Sequence, residues 1–394
     1  KDGDIATELE IIVSPEDNAE IRRVSLKNTG MKAREIEITS YSEIVLAPQA
    51  ADVMHPAFSN LFVQTEYVHE VSGLLATRRP RSSNENPIWM AHVIAVDGEV
   101  NPGIEYETDR VRFLGRGCSV RKAVSIVEGQ PLSNTVGAVL DPIVSLRTRI
   151  HIPPGATKHI TFSTIVANSR EEILDLADKY HDPSTFHRIS TLAWTHAQVQ
   201  LHYLGIDSME ANFFQHLANR IIYSNPSMRP SSEILKRNTL SVPALWAHQI
   251  SGDYPILMVH IDSIDDQAVI KQLLRAHEYW RMKRLVVDLV IINEKATSYV
   301  KDLQVLLETM VRTSLQMSGN YLHENRGSIF VLRADMLTPQ EKELLQTVSR
   351  SVMSCKEGSL AEQIKRMKRS SYKPVYQMKK SSNNYVMEDL PISY

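Results

Sequence analysis

At 394 residues, the chain is long enough for more than one domain, since a domain typically takes about 150 residues. Its 44 Lys and Arg residues almost balance its 46 Asp and Glu residues, and the net charge of −2 gives no indication of a polyanionic partner. Nucleic acid binding is therefore not expected. The two cysteines, Cys118 and Cys355, are too few and too distant in sequence for a disulfide framework or a cysteine-based zinc site.

This cysteine usage favours a reduced compartment, and we expect a cytoplasmic location. No apolar run approaches the roughly 20 residues of a membrane-spanning helix, so this segment is not expected to insert into a membrane. The chain starts in a strand-like segment without Met. We interpret it as a piece of a longer protein, which could itself be an inner-membrane protein with this segment on the cytoplasmic side.

Residues 1–168 show the two-residue periodicity of antiparallel strands. Leu9, Ile11 and Val13 share one face of the first predicted strand, and turn sequences follow at 14–17 and 28–30. Further strands are predicted at Phe62–Val68, Leu74–Thr77, Trp89–Ala95, Val136–Val144 and His159–Val166. This spacing predicts a large antiparallel β-sandwich, whose first strands could be missing.

Helical periodicity begins after Ser169. Ser169 and Glu172 have the spacing of a capping box, and helical patterns continue as far as the prolines at 226 and 230. Residues 169–240 are therefore predicted to form a helical linker.

Residues 241–368 alternate between buried-type strands and amphipathic helices. Gly252 and Asp253 are typical of a turn, and the apolar run Ile256–Ile261 is typical of a strand buried on both faces. The order β-α-β-α-β-α predicts a small domain with a mostly parallel sheet. The predicted fold class is thus multidomain α+β, with a large antiparallel β-sandwich, a helical linker and this small domain.

Residues 369–394 are basic, contain tyrosines and have few core-forming side chains. A linker tail is the preferred interpretation. A nucleic-acid-binding tail, with lysines on phosphates and tyrosines stacked on bases, is the alternative.

Common enzyme motifs are absent from the sequence. There is no Gly-rich phosphate loop, no zinc-binding pair of His residues on a helix and no nucleophile elbow. We therefore predict no cofactor and no metal, and the motifs identify no catalytic residue.

Arginines are concentrated in two stretches of the predicted sandwich. The candidate residues there are Arg78, Arg79, Arg81, Asp109, Arg110 and Arg116. Guanidinium groups bind carboxylates, phosphates or sugar hydroxyls, which makes these positions candidates for carbohydrate binding. The near balance with acids such as Glu107 favours the alternative of structural ion pairs.

Trp246, His248 and Asp253 form a second candidate carbohydrate site, before the first strand of the small domain. An indole can stack on a sugar ring, and a carboxylate can accept hydrogen bonds from its hydroxyls. In the alternative interpretation, Trp246 packs between the linker and the sheet, and Asp253 caps a turn.

Several long strings resemble one enzyme family. They are HPAFSNLFVQTEYV, LLATRRPRS, YETDRVRFLGRG, LDPIVSLR, LWAHQISGDYPIL and LLRAHEYWRMKRLVVDLVIINE. In this order they resemble the middle portion of cyclic β-1,2-glucan synthases and β-1,2-oligoglucan phosphorylases, which carry modules of the former glycosyltransferase family 36, now glycoside hydrolase family 94. The resemblance extends from Ala6 to about Lys368.

The resemblance implies a supersandwich that leads through linker helices to an (α/α)₆ barrel. In the family that barrel holds the general-acid Asp and the phosphate site for inverting phosphorolysis. This sequence contains no barrel, so no catalytic residue is carried over. The implied partners are β-1,2-glucan and neighbouring catalytic modules of the same polypeptide.

Three functions are compatible with these observations. The preferred hypothesis is a non-catalytic, carbohydrate-associated segment that positions or weakly binds glucan for catalytic modules. The second is a catalytic glycan-active domain that uses acids such as Asp109 or Asp253. The third is a structural spacer or assembly module.

Overall fold

The computed structural model describes residues 2–80, 82, 85–98, 103–295, 302–317 and 327–369. The chain forms two compact units, Lys1–Gln200 and Leu201–Tyr394, and each is described by itself. Arg81 and the part of the predicted tail beyond Arg369 lie outside the described residues.

The strands of the first unit pair in antiparallel fashion and form two sheets. Their bounds are β1 (Ile5–Val13), β2 (Ala19–Asn28), β3 (Arg34–Thr39), β4 (Ser42–Glu43), β5 (Val63–Val68), β6 (Gly73–Arg78), β7 (Ile88–Val96), β8 (Glu105–Asp109), β9 (Pro142–Ile152) and β10 (Thr157–Ala167). The larger sheet has the order β1-β2-β10-β7-β6-β5, and in the smaller sheet β9 pairs with β3, β4 and β8. The predicted antiparallel sandwich is confirmed.

An apolar core lies between the two sheets. The larger sheet contributes side chains such as Leu74, Ile94 and Ile160, and β9 contributes Leu146 and Ile152. Because side chains alternate along a strand, the core residues of a strand such as β9 are spaced two or four apart, as Leu146, Ile150 and Ile152 show. Alternation along the strands thus determines which side chains of each sheet enter the core between the sheets.

The opposite face of the larger sheet is covered by helix α5 (Arg170–His181) and the beginning of helix α6 (Thr185–Leu204). Ile173, Ala177 and Phe186 pack there against strand residues that include Leu75 and Val93. Ser169 caps α5 as predicted, because its hydroxyl accepts the Glu172 backbone N–H. The helical segment that follows the strands therefore closes the outer face of the sandwich.

Two expectations for the first unit are wrong in detail. The strand predicted at Val136–Val144 starts only at Pro142, and Pro suits a first strand position because it has no N–H to donate. Four short helices also interrupt the strands: α1 (Gln49–Met54), α2 (Pro56–Asn60), α3 (Arg110–Leu114) and α4 (Val124–Val127). Each is shorter than two turns, so the sequence shows no helical periodicity for them.

The second unit contains a parallel sheet. Its strands are β11 (Ile256–Ile261), β12 (Asp288–Asn293), β13 (Ile329–Arg333) and β14 (Ser351–Ser354), in the order β13-β12-β11-β14. Its helices are α7 (Ser208–Ile222), α8 (Ser232–Arg237), α9 (Pro243–Trp246), α10 (Gln267–Met282), α11 (Asp302–Met317), α12 (Pro339–Val348) and α13 (Leu360–Arg369). The predicted mostly parallel sheet is confirmed, and β14 is an additional strand.

Helices cover both faces of this sheet. Residues of α7, α10, α11 and α13 pack with Leu257, Val259 and Ile291 on one face. Leu344 and Leu345 of α12 pack with Met258 and Val290 on the other. The strands of this sheet are almost continuously apolar because both of their faces are buried. No helix within the described residues is long and apolar enough to span a bilayer.

Gly327 is a conformationally restricted position in the second unit. Its φ is +73°, and a Cβ atom there would lie 2.1 Å from the Val287 carbonyl oxygen. We expect Gly327→Ala to destabilise this unit by more than about 2 kcal/mol, because the left-handed strain of an L-residue is joined by a backbone clash.

Gly205→Ala is the matched control, because Gly205 has a φ of +61° and no atom within 4 Å of a Cβ. Urea unfolding of the second unit measures both variants. Equal stability losses would show that the contact with Val287 is unimportant.

Candidate functional site

The first predicted arginine stretch is divided between the interior and the surface. Arg78 is buried, its Nε donates to the Leu46 carbonyl oxygen, and its guanidinium group pairs with Glu85. Arg79 is exposed, with its guanidinium carbon 5.8 Å from the centre of the Phe62 ring. Arg78 therefore has structural partners, whereas Arg79 faces solvent. The third member, Arg81, lies outside the described residues.

Asp109 caps helix α3. Its carboxylate accepts hydrogen bonds from the backbone N–H groups of Val111, at 2.8 Å, and Arg112, at 3.4 Å. An acid that satisfies free N–H groups at a helix start stabilises the helix. This role is structural, although the sequence interpretation had anticipated ion pairs rather than a helix cap.

Arg110 joins a chain of polar side chains that leads to Tyr41. Arg110 Nε donates to Glu43 Oε1 over 2.9 Å, and the Tyr41 hydroxyl donates to the same oxygen over 2.8 Å. The hydrogen bond from Tyr41, followed by that from Arg110, lowers the pKa of the Glu43 carboxyl. The Tyr41 ring also lies 5.0 Å from that of Phe113. Arg116, the last candidate of this group, is exposed.

Glu107 is buried, and both of its carboxylate oxygens are engaged. Oε1 accepts the backbone N–H groups of Thr108 and Asp109, each at 3.0 Å. Oε2 accepts the Ser133 hydroxyl at 2.6 Å. This acid therefore holds the 133–135 segment against β8.

The second predicted group lies in the other unit. Trp246 is 61% exposed, and its indole N–H donates to the Ser251 carbonyl oxygen over 3.2 Å. An exposure of 61% disfavours the alternative in which Trp246 packs between the linker and the sheet. His248 Nε2 lies 3.0 Å from Glu341 Oε1, and Asp253 is exposed in the turn before β11. The two predicted groups do not form one site within a single unit.

A cleft of about 530 Å³ opens in the first unit, on the inner face of the larger sheet. Its floor comes from β1, β2, β7 and β10, and one wall is residues 38–42, which run from the end of β3 to the start of β4 in the smaller sheet. The polar and aromatic side chains that line it are Asn18, Glu20, Arg22, Thr39, Ser40, Tyr41, Ser42, His92, Phe162 and Thr164. None of these belongs to the predicted sets, although Tyr41 is linked to Arg110 through Glu43.

The register of the strands places the residues of the cleft floor in rows that run across the sheet. On β2, Glu20 is paired with Thr164, which is paired in turn with His92. Arg22 is paired with Phe162 in the neighbouring row. Directly opposed residues of antiparallel strands point to the same face, so all five side chains face the cleft side of the sheet.

His92 lies buried at the inner end of the cleft. Its Nε2 is 2.9 Å from Ser40 Oγ, and its Nδ1 is 3.0 Å from Thr164 Oγ1. Ser40 Oγ also accepts the Leu146 backbone N–H, at 3.0 Å. Burial, followed by the positive charge of Arg22, lowers the pKa of His92 to about 4. The imidazole is therefore neutral at physiological pH and has a partner on each ring nitrogen.

The mouth of the cleft is polar and carries little net charge. Arg22 Nε lies 2.6 Å from Glu20 Oε1, and both side chains are partly exposed. A guanidinium group, a carboxylate, several hydroxyls and the Tyr41 ring provide donors, acceptors and an apolar plate. This set suits a neutral, polyhydroxylated ring. Within the described residues, no three His, Cys, Asp or Glu side chains are grouped to hold a metal ion.

Sequence reasoning missed Arg147 as well as the cleft. Arg147 is 1% exposed and donates to Thr39 Oγ1 and to the carbonyl oxygens of Ser125 and Gln130. Arg147 ends the mostly apolar string LDPIVSLR, and a cation in such a string can be predicted to be buried and hydrogen-bonded. No comparable signal marked the cleft, because its lining comes from five separate parts of the chain.

Comparisons with known proteins agree with the sequence strings. Residues 1–183 match the family described as Glycosyl hydrolase 94, supersandwich domain. Over 365 residues the chain is 39% identical to the cyclic β-(1,2)-glucan synthase NdvB of Rhizobium meliloti (strain 1021). That match covers 92% of this chain and 13% of the relative, so the chain spans only a small part of the relative's length. The resemblance inferred from the sequence is confirmed.

Among solved structures, a polysaccharide lyase aligns with 43% of this chain and 21% of its own, at 12% identity and a TM-score of 0.26. A TM-score this low supports no conclusion about fold or function.

The depressed pKa of His92 predicts a pH-dependent stability. The folded-state pKa is about 4 and the ordinary value is 6.5, so the unfolded chain binds more protons between these pH values. The contribution of neutral His92 to the free energy of unfolding is therefore fully present above about pH 6.5, and it is lost as the pH falls towards 4. From pH 7 to pH 5 the loss should be about 2 kcal/mol, measured by hydrogen exchange of β7 and β10 amides.

His92→Gln should remove this part of the pH dependence, whatever its effect on stability at pH 7. His277→Gln is the control, because His277 is equally buried, has a pKa lowered to about 4, and lies in the second unit. An unchanged pH slope in His92→Gln would contradict the assignment.

Proposed function

We propose, from the premise that residues 1–183 are a glycosyl hydrolase 94 supersandwich domain, that the cleft of the first unit binds β-1,2-linked glucan. In this role the chain is a non-catalytic segment of a larger glucan-processing enzyme. It holds glucan for catalytic modules elsewhere in the same polypeptide.

The lining of the cleft is the observation that carries this proposal. Sugar rings present hydroxyls at their edges and C–H groups on their faces, so they need directional polar partners beside an apolar plate. Glu20 and Arg22 offer an acceptor and a forked donor, and the half-buried Tyr41 offers ring surface. The volume of about 530 Å³ lies within the range of small-molecule sites.

The linkage and the enzyme context rest on the relative, whose name describes a cyclic β-(1,2)-glucan synthase. The non-catalytic role is supported by the acids of the first unit that sequence reasoning had weighed. Asp109 caps a helix and Glu107 is saturated with hydrogen bonds. The cytoplasmic location stays a prediction.

The exposed indole of Trp246 favours a second candidate surface in the other unit, with His248 and Asp253 nearby in sequence. An exposed indole whose N–H is already bonded is suited to stacking on a sugar ring. Arg79 and Arg116 remain candidate contacts on the first unit.

Calorimetric titration with β-1,2-gluco-oligosaccharides tests the proposal. Arg22→Ala should weaken binding at least about tenfold, because a charged donor to the sugar is lost. Arg170→Ala is the matched control, since the side chains of Arg22 and Arg170 are 56% and 52% exposed and both are ion-paired. Trp246→Ala reports on the second surface.

Wild-type chain that takes up no oligosaccharide would refute the proposed function. Full affinity in Arg22→Ala together with loss in Trp246→Ala would move the site to the second unit. Circular dichroism should be unchanged in all three variants.

The non-catalytic role has its own test. Purified chain incubated with inorganic phosphate and β-1,2-oligoglucans should release no glucose 1-phosphate. Enzyme-coupled detection of that product above the blank would contradict a purely positioning role.

A further inference from the structure

The cleft floor continues onto an exposed aliphatic strip on β1. Leu9, Ile11 and Val13 are 55%, 54% and 68% exposed and share one face of the strand. Register pairs Ile11 with Arg22 and Val13 with Glu20. The ion pair at the mouth of the cleft is therefore bordered by aliphatic side chains on β1 and by Phe162 and Thr164 on β10.

We propose that this strip is an additional subsite, so that the cleft and β1 together bind a glucan chain of several units rather than a single sugar. The inference rests on the proposed function and adds the class of ligand, an extended oligosaccharide that runs across the strands. Ile11 and Val13 contact the glucosyl units that protrude from the mouth of the cleft.

The alternation of groups across the sheet supports a chain-like ligand. Along one row, Val13, Glu20, Thr164 and His92 follow one another from β1 to β7. Neighbouring strands are about 4.8 Å apart, a spacing comparable with the width of a pyranose ring. Polar groups on β2 and β10 can bond hydroxyls, while the aliphatic groups on β1 can pack against C–H faces.

The charges on β1 argue against another strand as the occupant. Among the described residues β2 is the one strand that pairs with β1, and the outer edge of β1 is bridged at Ile5 by Asp2, so strand addition would have to use the edge beyond Ile5. Glu8 and Glu10 lie along that edge, and Glu10 is already paired with Arg23. Charged residues on an edge strand oppose strand addition, and a second copy centred on Leu9 would place Glu8 opposite Glu10. A neutral polyhydroxylated chain meets no such repulsion.

The test compares oligosaccharides of two and five glucosyl units in calorimetric titrations. Wild-type chain should bind the longer one about tenfold more tightly, because it alone reaches both aliphatic side chains. The double variant Ile11→Thr and Val13→Thr should lose this gain and keep its affinity for the shorter ligand. Thr retains the β-branched shape that suits a strand.

Val45→Thr is the matched control, because Val45 is as exposed as Ile11, at 54% for both, and lies outside the strip. A length-dependent gain that survives in the double variant would overturn the inference, while loss in Arg22→Ala would still support the proposed function. Light scattering tests whether a second copy of the chain occupies the strip instead. If the wild-type chain is a dimer and the double variant is a monomer, the strip is a dimer contact and the inference is overturned.

Discussion

The hydrogen bonds of buried His92 join three parts of the first unit. The imidazole of β7 meets Thr164 on β10 and Ser40 on the segment between β3 and β4, and Ser40 in turn holds the backbone of β9 at Leu146. Elsewhere the core between the two sheets is mostly apolar, and buried Arg78 is a polar exception. The polar junction at His92 is where the apolar core ends and the cleft begins.

Arginines of this unit show how burial decides the role of a charged side chain. Arg147 and Arg78 are buried and donate to carbonyl oxygens of neighbouring segments, so each holds irregular chain against a sheet. Arg22 is partly exposed and has a single short ion pair, with Glu20. A buried guanidinium group must have its donors satisfied internally, whereas an exposed one can exchange water for a ligand. This difference makes Arg22 the better candidate for binding sugar.

The second unit is organised by a different constraint. Its strands are apolar because helices cover both faces of a parallel sheet, and the turn at Gly252 and Asp253 delivers the chain into β11. The predicted stretch around Trp246 lies just before this strand, where the chain is exposed. Its indole faces solvent because the short helix α9 buries Leu245 instead.

The sequence by itself determined the architecture of each unit. Alternating apolar residues predicted the sandwich, buried runs predicted the parallel sheet, and the strings around Arg79, Asp109 and Trp246 carried the resemblance to glycoside hydrolase family 94 proteins. These signals are local, since they depend on neighbours within one strand, helix or turn. Strand β14 gave no such signal, because four residues, two of them serines, carry too little apolar periodicity. The cleft was decided only by tertiary structure, because the register between β1, β2, β10 and β7 brings Arg22, Thr164 and His92 together from parts of the chain more than 60 residues apart. No spacing in the sequence records that register.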